Sequence, residues 1–371
     1  MRTSRIQRLT SPERTSGSSR LRTGRTSRAS GVSDCVLVSR RRANISPAKA
    51  QRRKEEPLEA RQRFASLRLC GRRLLLILVL LPGFAFGQTN ERWLDYAPVD
   101  YDIFPNVTYA KASNFELKLD LYLPKDRSRP KTTLILFHGG GWVDGQKERN
   151  VLYLLPYLEL GWSAINVEYR TARQAPAPAA VEDARCALRW AAYHARDYGL
   201  DPTRFVLTGT SAGGHLSLIT GMLPANSIFD RQCPIEGNDR WSSANVPEPK
   251  VAAIVNWFGI GDVADLLEGP NAKNYAREWF GSMSNPEQLA RQLSPINYVR
   301  AGLPPIITIH GELDDVAPYS HAVRLHAALD KAGVPNRLVT IKGRKHGGFN
   351  REEMVQSYAA IRDFLRKQGL L

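Results

Sequence analysis

Four cysteines in 371 residues, with no CxxC pair and no HExxH, leave no spacing of the kind that holds a metal ion. A long apolar run is also missing. The best stretch, in RLCGRRLLLILVLLPGFAFGQTNERW, extends over about 13 residues, short of the roughly 20 that a helix needs to cross a bilayer. No segment repeats. Acidic residues are scarce overall, 36 against 52 basic ones for a net charge of +16, which invites a nucleic-acid reading until the charge is located. Residues 1–73 hold 20 of the basic and 5 of the acidic residues, so positions 74–371 carry 32 and 31. The globular part is almost neutral, and no nucleic-acid partner is expected.

Residues 1–66 are rich in Arg, Ser and Thr, with few aromatics and neither helical nor strand periodicity, and are expected to be disordered. Residues 67–87 pair a basic stretch ending at Arg73 with an apolar run from Leu74, followed by the small residues Ala85 and Gly87, as in a cleaved secretory signal. Such a signal belongs at an N-terminus, so the expected start lies near Leu67 or Leu69, and the only expected membrane contact is through this segment. Cys186 and Cys233 remain in the expected mature chain, as a disulfide or as two buried thiols; the sequence leaves both open.

From residue 88 onward the pattern is that of one α/β domain. NVTYAKASNFELKLDLYLP reads as an antiparallel hairpin turning at Ala112, Ser113 and Asn114. Near-continuous apolar runs follow at Thr133–Phe137, SAINVEY, Arg204–Gly209, Val251–Phe258, Pro305–His310 and RLVTIKG, as expected of strands covered on both faces. Helical spacing lies between them: Val181, Ala184, Leu188, Ala191 and Ala195; Ala322, Leu325 and Leu329, stopped by Gly333; and Met354, Tyr358, Ile361 and Leu365. The expected fold is a mostly parallel twisted sheet with helices on both faces. Residues 224–248 and 262–300 break the alternation and read as insertions over the carboxyl edge of the sheet.

In TGTSAGGH, residues 208–215, Ser211 sits between Gly209 and Gly213 after an apolar strand and before a helix. GxSxG in that setting is a nucleophile elbow, its glycines allowing strand and helix to pass without a Cβ. A serine hydroxyl needs a base. Of seven histidines, His194, His215, His321 and His326 lie within helical patterns, while His138 and His310 end strands; His346, on a Gly-flanked loop after the last strand, is free to reach over the sheet edge. The orienting carboxylate lies in HGELDDVAP, where Asp314, Asp315 and Glu312 compete. HGGGW, residues 138–142, follows the first long strand; Gly139 and Gly140, with the amide of Ala212, are the expected donors to an oxyanion.

Together with VEYR, APAAVEDARCALRW, YGLDPTRFVLTGTSAGGHLS, NWFGIGD, HGELDDVAPYS and KHGGF, these motifs resemble the α/β-hydrolase superfamily, and within it the hormone-sensitive-lipase-like esterases near the bacterial feruloyl and acetylxylan esterases. The resemblance covers residues 130–350. It implies a Ser211, Asp314, His346 triad, choosing Asp314 as the fifth residue of HGELDDVAP, and an oxyanion hole of Gly139, Gly140 and Ala212, with no cofactor. Thr210 departs from the residue relatives often carry, and the middle insertion matches no pattern, which leaves the acyl and alcohol pockets undefined.

The resulting expectation is a secreted or periplasmic serine carboxylesterase acting on small-molecule or polysaccharide esters, its chain partners and oligomeric state open. Trp142, Trp257, Phe258, Trp279 and Phe280 either wall a pocket for an aromatic acyl group or sugar ring, or pack in the core. The alternatives are an arylformamidase of the kynurenine formamidase kind, which shares the HGG-x-W loop but has a cytosolic substrate, and a non-catalytic module on a hydrolase fold. A prolyl-oligopeptidase architecture is excluded because residues 88–371 leave no room for a propeller.

Overall fold

Leu117, Leu119, Leu121 and Leu123 alternate along β2 (Phe115–Pro124), and all four are buried. Their period of two gives the strand one apolar face. β2 pairs antiparallel with β1 (Tyr101–Ala112) across a two-residue turn, Ser113–Asn114, with Ala112 opposite Phe115. Both turn residues have positive φ, 49° and 58°, as a type I′ hairpin turn requires.

The computed structural model describes residues 100–231, 233 and 249–371. All belong to the second of two units into which the chain divides, Phe84–Leu371. The expected basic segment 1–66, the signal 67–87 and most of the 224–248 insertion lie outside the described residues.

Six further strands complete the sheet: β3 (Lys131–Phe137), β4 (Ser163–Val167), β5 (Leu200–Thr210), β6 (Val251–Trp257), β7 (Ile306–Gly311) and β8 (Asn336–Ile341). Their order is β1-β2-β4-β3-β5-β6-β7-β8, antiparallel where β2 meets β1 and β4 and parallel from β4 to β8. The helices are α1 (Leu155–Leu158), α2 (Ala179–Tyr193), α3 (Ala195–Tyr198), α4 (Ala212–Met222), α5 (Asn274–Phe280), α6 (Pro286–Gln292), α7 (Tyr319–Lys331) and α8 (Arg351–Lys367).

The apolar runs of the central strands feed two layers. Ile135, Phe137 and Leu207 pack with Val181, Ala184 and Leu188 of α2 and Leu216 and Ile219 of α4. One residue out of phase, Leu134, Leu136 and Val206 face the opposite layer, with Tyr157 of α1 and Ile361, Phe364 and Leu365 of α8. Side chains buried this completely each contribute about 1.5–3 kcal/mol, which is why these strands carry hydrophobic residues on both faces. Helix α7 seals the β6–β7 side through Leu325 and Leu329, and Gly333, at φ 66°, follows its end as expected.

The stretch 262–300 is more regular than its composition suggested. It holds α5, α6 and three 3-10 turns, Ala264–Leu266, Gly269–Asn271 and Pro295–Tyr298. Cys186 on α2 and Cys233 form a disulfide, their Cα atoms 4.8 Å apart. Beside it Asp230 is buried and clasped by Arg185, with Nε and Nη2 at 2.6 and 2.7 Å, and by Arg189 at 2.9 Å. A covalent bond and a buried ion cluster therefore fasten α2 to the same short segment.

Candidate active site

At the carboxyl end of β5 the chain turns so tightly that a Cβ on Gly213 would strike the Phe137 carbonyl, and one on Gly209 would strike the carbonyl of Gly213. The residue between them absorbs the turn: Ser211 has φ 55° and ψ −117°, a region that costs a non-glycine residue about 1–3 kcal/mol. Its N–H is held by the Trp257 carbonyl at 2.9 Å and its carbonyl accepts from His215 at 2.9 Å. The hydroxyl is thereby fixed at the edge of the sheet, at the N-terminus of α4.

His346 lies in the loop after β8. Its Nδ1 is 2.7 Å from Oδ2 of Asp314 and its Nε2 is 2.9 Å from Oγ of Ser211. A carboxylate only accepts, so Nδ1 carries the proton and Nε2 is left to accept from the serine hydroxyl. Phe258 sets its ring edge against the imidazole, centroids 4.9 Å apart. Asp314 has all its acceptor positions engaged: Oδ1 takes the N–H groups of Val316 and Ala317, both at 2.9 Å, and Oδ2 faces Nε2 of His310 at 3.1 Å as well as His346. Burial alone would raise its pKa; the hydrogen bonds from the two imidazoles outweigh burial and hold the carboxyl well below the usual range. Its competitors Asp315 and Glu312 are exposed, and Glu312 accepts from the Gly343 N–H at 3.0 Å.

The glycine loop differs from expectation at one position. The N–H of Gly139 already donates to Oδ1 of Asn150 at 3.2 Å, whereas the N–H groups of Gly140, Gly141 and Ala212 meet no acceptor among the described residues. Gly140 has φ 127°, and a Cβ there would collide with the Asp144 carbonyl; Gly141, at φ 61°, rests against the Tyr275 ring. The free donors beside Ser211 are therefore Gly140, Gly141 and Ala212, and Gly139 serves instead to anchor the loop.

The loop is fastened from below. Trp142 is fully buried at φ 62° and stacks on Trp279 of α5, centroids 4.3 Å apart and planes 15° apart. Nε2 of His215 lies 2.7 Å from the Leu293 carbonyl and must donate to it, so Nδ1 is bare and accepts from Nε1 of Trp142 at 3.1 Å. Burial pushes the His215 pKa down to about 4 and keeps the ring neutral. His138 is likewise held to about 4 by burial, donating from Nδ1 to the Gly139 carbonyl at 2.8 Å.

A cleft of about 550 Å³ opens over Ser211 and His346. Tyr153, Phe258, Tyr275 and Val316 wall it, with Arg149 and Asn150 among its polar lining. Tyr275 spans from the insertion to the loop of Asp314, donating to the Val316 carbonyl at 2.7 Å. Of the aromatics weighed from sequence, only Phe258 lines the cleft; Trp142, Trp257 and Trp279 are fully buried and Phe280 nearly so, which makes them core. Asn150, Tyr153 and Tyr275 escaped sequence reading because nothing in their local pattern sets them apart. A larger cavity, about 690 Å³, lies near Lys131, Arg204 and Leu371 but offers no pairing of nucleophile and base.

The strand order and the elbow define an α/β hydrolase. The BD-FAE family model matches residues 119–329, and the chain belongs to that family. It is 29% identical over 211 residues to LipM of Mycobacterium tuberculosis, a probable carboxylic ester hydrolase, covering 55% of this chain and 46% of that protein. It is 27% identical over 240 residues to ICMEL1 of Arabidopsis thaliana, a probable isoprenylcysteine alpha-carbonyl methylesterase, covering 62% and 48%. The chain thus spans about half the length of these relatives. Among solved structures it is similar to the propionate-bound esterase Est2 of Thermogutta terrifontis (27% identity, TM-score 0.60, 74% of this chain and 96% of that one). It is also similar to a truncated carbohydrate esterase from gut microbiota (27%, 0.60, 72% and 96%).

Proposed function

We propose that this protein is an exported serine carboxylesterase. The observation that carries the reading is the unbroken relay from Ser211 Oγ through His346 to Asp314, with contacts of 2.9 and 2.7 Å. In it Ser211 attacks the ester carbonyl as Nε2 of His346 takes the hydroxyl proton. The tetrahedral oxyanion is received by the N–H groups of Gly140, Gly141 and Ala212, a preorganised set that costs no rearrangement when charge develops. Asp314 stabilises the imidazolium without taking its proton. The imidazolium then protonates the leaving alcohol, and a water activated by the same Nε2 releases the acid and restores the serine.

Short-chain acyl groups, including acetyl, or hydroxycinnamoyl groups, borne by small alcohols or plant polysaccharides, are the proposed substrates. The likeness to a carbohydrate esterase and to an esterase holding propionate supports this range, as do the aromatic walls of the cleft. Export is supported by the apolar run after Arg73 and by the Cys186–Cys233 bond, since disulfides persist in oxidising compartments.

The test is hydrolysis of p-nitrophenyl acetate and butyrate, methyl ferulate, acetylated xylan and N-formylkynurenine by the protein and by Ser211→Ala. Ester turnover that disappears in the variant is the expected result. Turnover of formylkynurenine alone would assign a formamidase, and a folded protein inert toward all five would be a binding module.

A further inference from the structure

Asn150 is bound at one end and free at the other. The backbone N–H of Gly139 can be met only by the carbonyl oxygen of the side-chain amide, so the amide orientation is settled and the NH₂ is the remaining end. Among the described residues that NH₂ has no acceptor, and it is not sealed from solvent. Asn150 lines the cleft together with Ser211 and Thr210, which places a neutral, unengaged donor within the substrate space. The cation beside it, Arg149, is paired with Asp144 at 2.9 Å. The facing walls, Phe258, Tyr275 and Val316, are largely apolar, and the Tyr275 hydroxyl is spent on the Val316 carbonyl.

We propose that Asn150 is a specificity-determining residue: its carbonyl pins the oxyanion loop through Gly139, and its NH₂ selects esters that carry an ether or hydroxyl oxygen close to the scissile carbonyl. The proposal rests on the esterase reading above. An alkyl group in the same place removes water from the NH₂ without replacing the hydrogen bond. A matched oxygen supplies the acceptor, and a neutral hydrogen bond of this kind is worth about 3- to 10-fold in kcat/KM.

Two pairs of esters of equal heavy-atom count isolate the effect. On the acyl side, p-nitrophenyl methoxyacetate is compared with p-nitrophenyl butyrate; on the alcohol side, 2-methoxyethyl acetate with butyl acetate. The ratio of kcat/KM for ether over alkyl ester is measured in the wild type, in Asn150→Asp and in Asn150→Leu. Asn150→Asp keeps an oxygen for the Gly139 N–H and exchanges the donor for an acceptor. Asn150→Leu keeps the approximate volume and removes both, so one folded variant suffices. Losses common to both esters, from a loosened loop or a new charge near the oxyanion, cancel in the ratio. The expected result is a fall of about 3- to 10-fold in one pair, which also tells whether the acyl or the alcohol group meets Asn150. Ratios unchanged within about twofold in both pairs would overturn the proposal. Turnover of p-nitrophenyl butyrate lost in Ser211→Ala secures the esterase reading separately; its absence from the wild type would remove that reading and this inference with it.

Discussion

Nε1 of Trp142 donates to Nδ1 of His215 across 3.1 Å, joining the glycine loop to α4, the helix that follows Ser211. The bond spans 73 residues of sequence and lies in the core, sheltered by Trp279. It ties the glycine loop to the segment carrying Ser211, so under the proposed mechanism its removal should be felt in the chemistry as well as in stability.

His215→Ala leaves the indole N–H buried without an acceptor and opens a cavity beneath the loop. The two effects together should cost about 2–4 kcal/mol of stability. In the protein that remains folded, kcat should fall more than KM rises, because a misplaced donor set weakens the transition state more than the ground state. Denaturant unfolding and steady-state kinetics measure both. An unchanged kcat would mean that the loop holds its position without this bond.

Asp314→Asn retains the shape of the carboxylate but presents an NH₂ to one or other of its partners. With His346 in the wrong tautomer, kcat should drop by about 10³- to 10⁴-fold while KM changes little. Because His310 also faces this group at 3.1 Å, the substitution should lower the thermal midpoint too. Loss of only a few-fold in kcat would transfer the orienting role to another acid.

Acid should destabilise the fold before it reaches the carboxylates. His138 and His215 have pKa values pushed by burial to about 4, from an ordinary 6.5. The unfolded chain therefore binds more protons between those limits. The stabilisation is present above pH 6.5 and is lost as pH falls toward 4, on the order of 2 kcal/mol for each ring between pH 7.5 and 5. Denaturant unfolding at the two pH values should show the drop; equal stability at both would mean that the rings are protonated in the folded state.

The disulfide closes a sequence separation of 47 residues, for which the chain-entropy treatment gives roughly 4 kcal/mol. The paired substitution Cys186→Ser with Cys233→Ser, or reduction under native conditions, should lower the unfolding midpoint accordingly. Ester turnover at low temperature should persist, since the bond lies on α2, away from Ser211 and His346. Unaltered stability after complete reduction would show that the Arg185–Asp230 cluster alone holds this segment.

Much of this architecture is legible in the sequence, for physical reasons. The strands are visible because burial on both faces requires continuous apolar runs, and Ser211 because its turn tolerates only glycine at 209 and 213. His346 stands out by position. Asp314, Asp315 and Glu312 are chemically similar, and burial separates them in the fold. The occupied N–H of Gly139 could not be foreseen for the same reason. Three consecutive glycines are equivalent on paper, and only the arrival of Asn150 from the following 3-10 helix, Lys147–Leu154, decides which N–H is occupied. The tryptophans were ambiguous because a ring suited to a pocket is equally suited to a core.

Helix α5 is two turns long, and two of its three aromatic residues, Tyr275 and Trp279, lie one turn apart. Tyr275 faces the cleft, and Trp279 lies beneath Trp142 and the glycine loop. The cleft wall and the prop beneath the proposed oxyanion donors thus belong to one short helix. Under the proposed mechanism selectivity and rate are inherited together here: redesign of the cleft at 275 acts on the lever that positions the oxyanion donors.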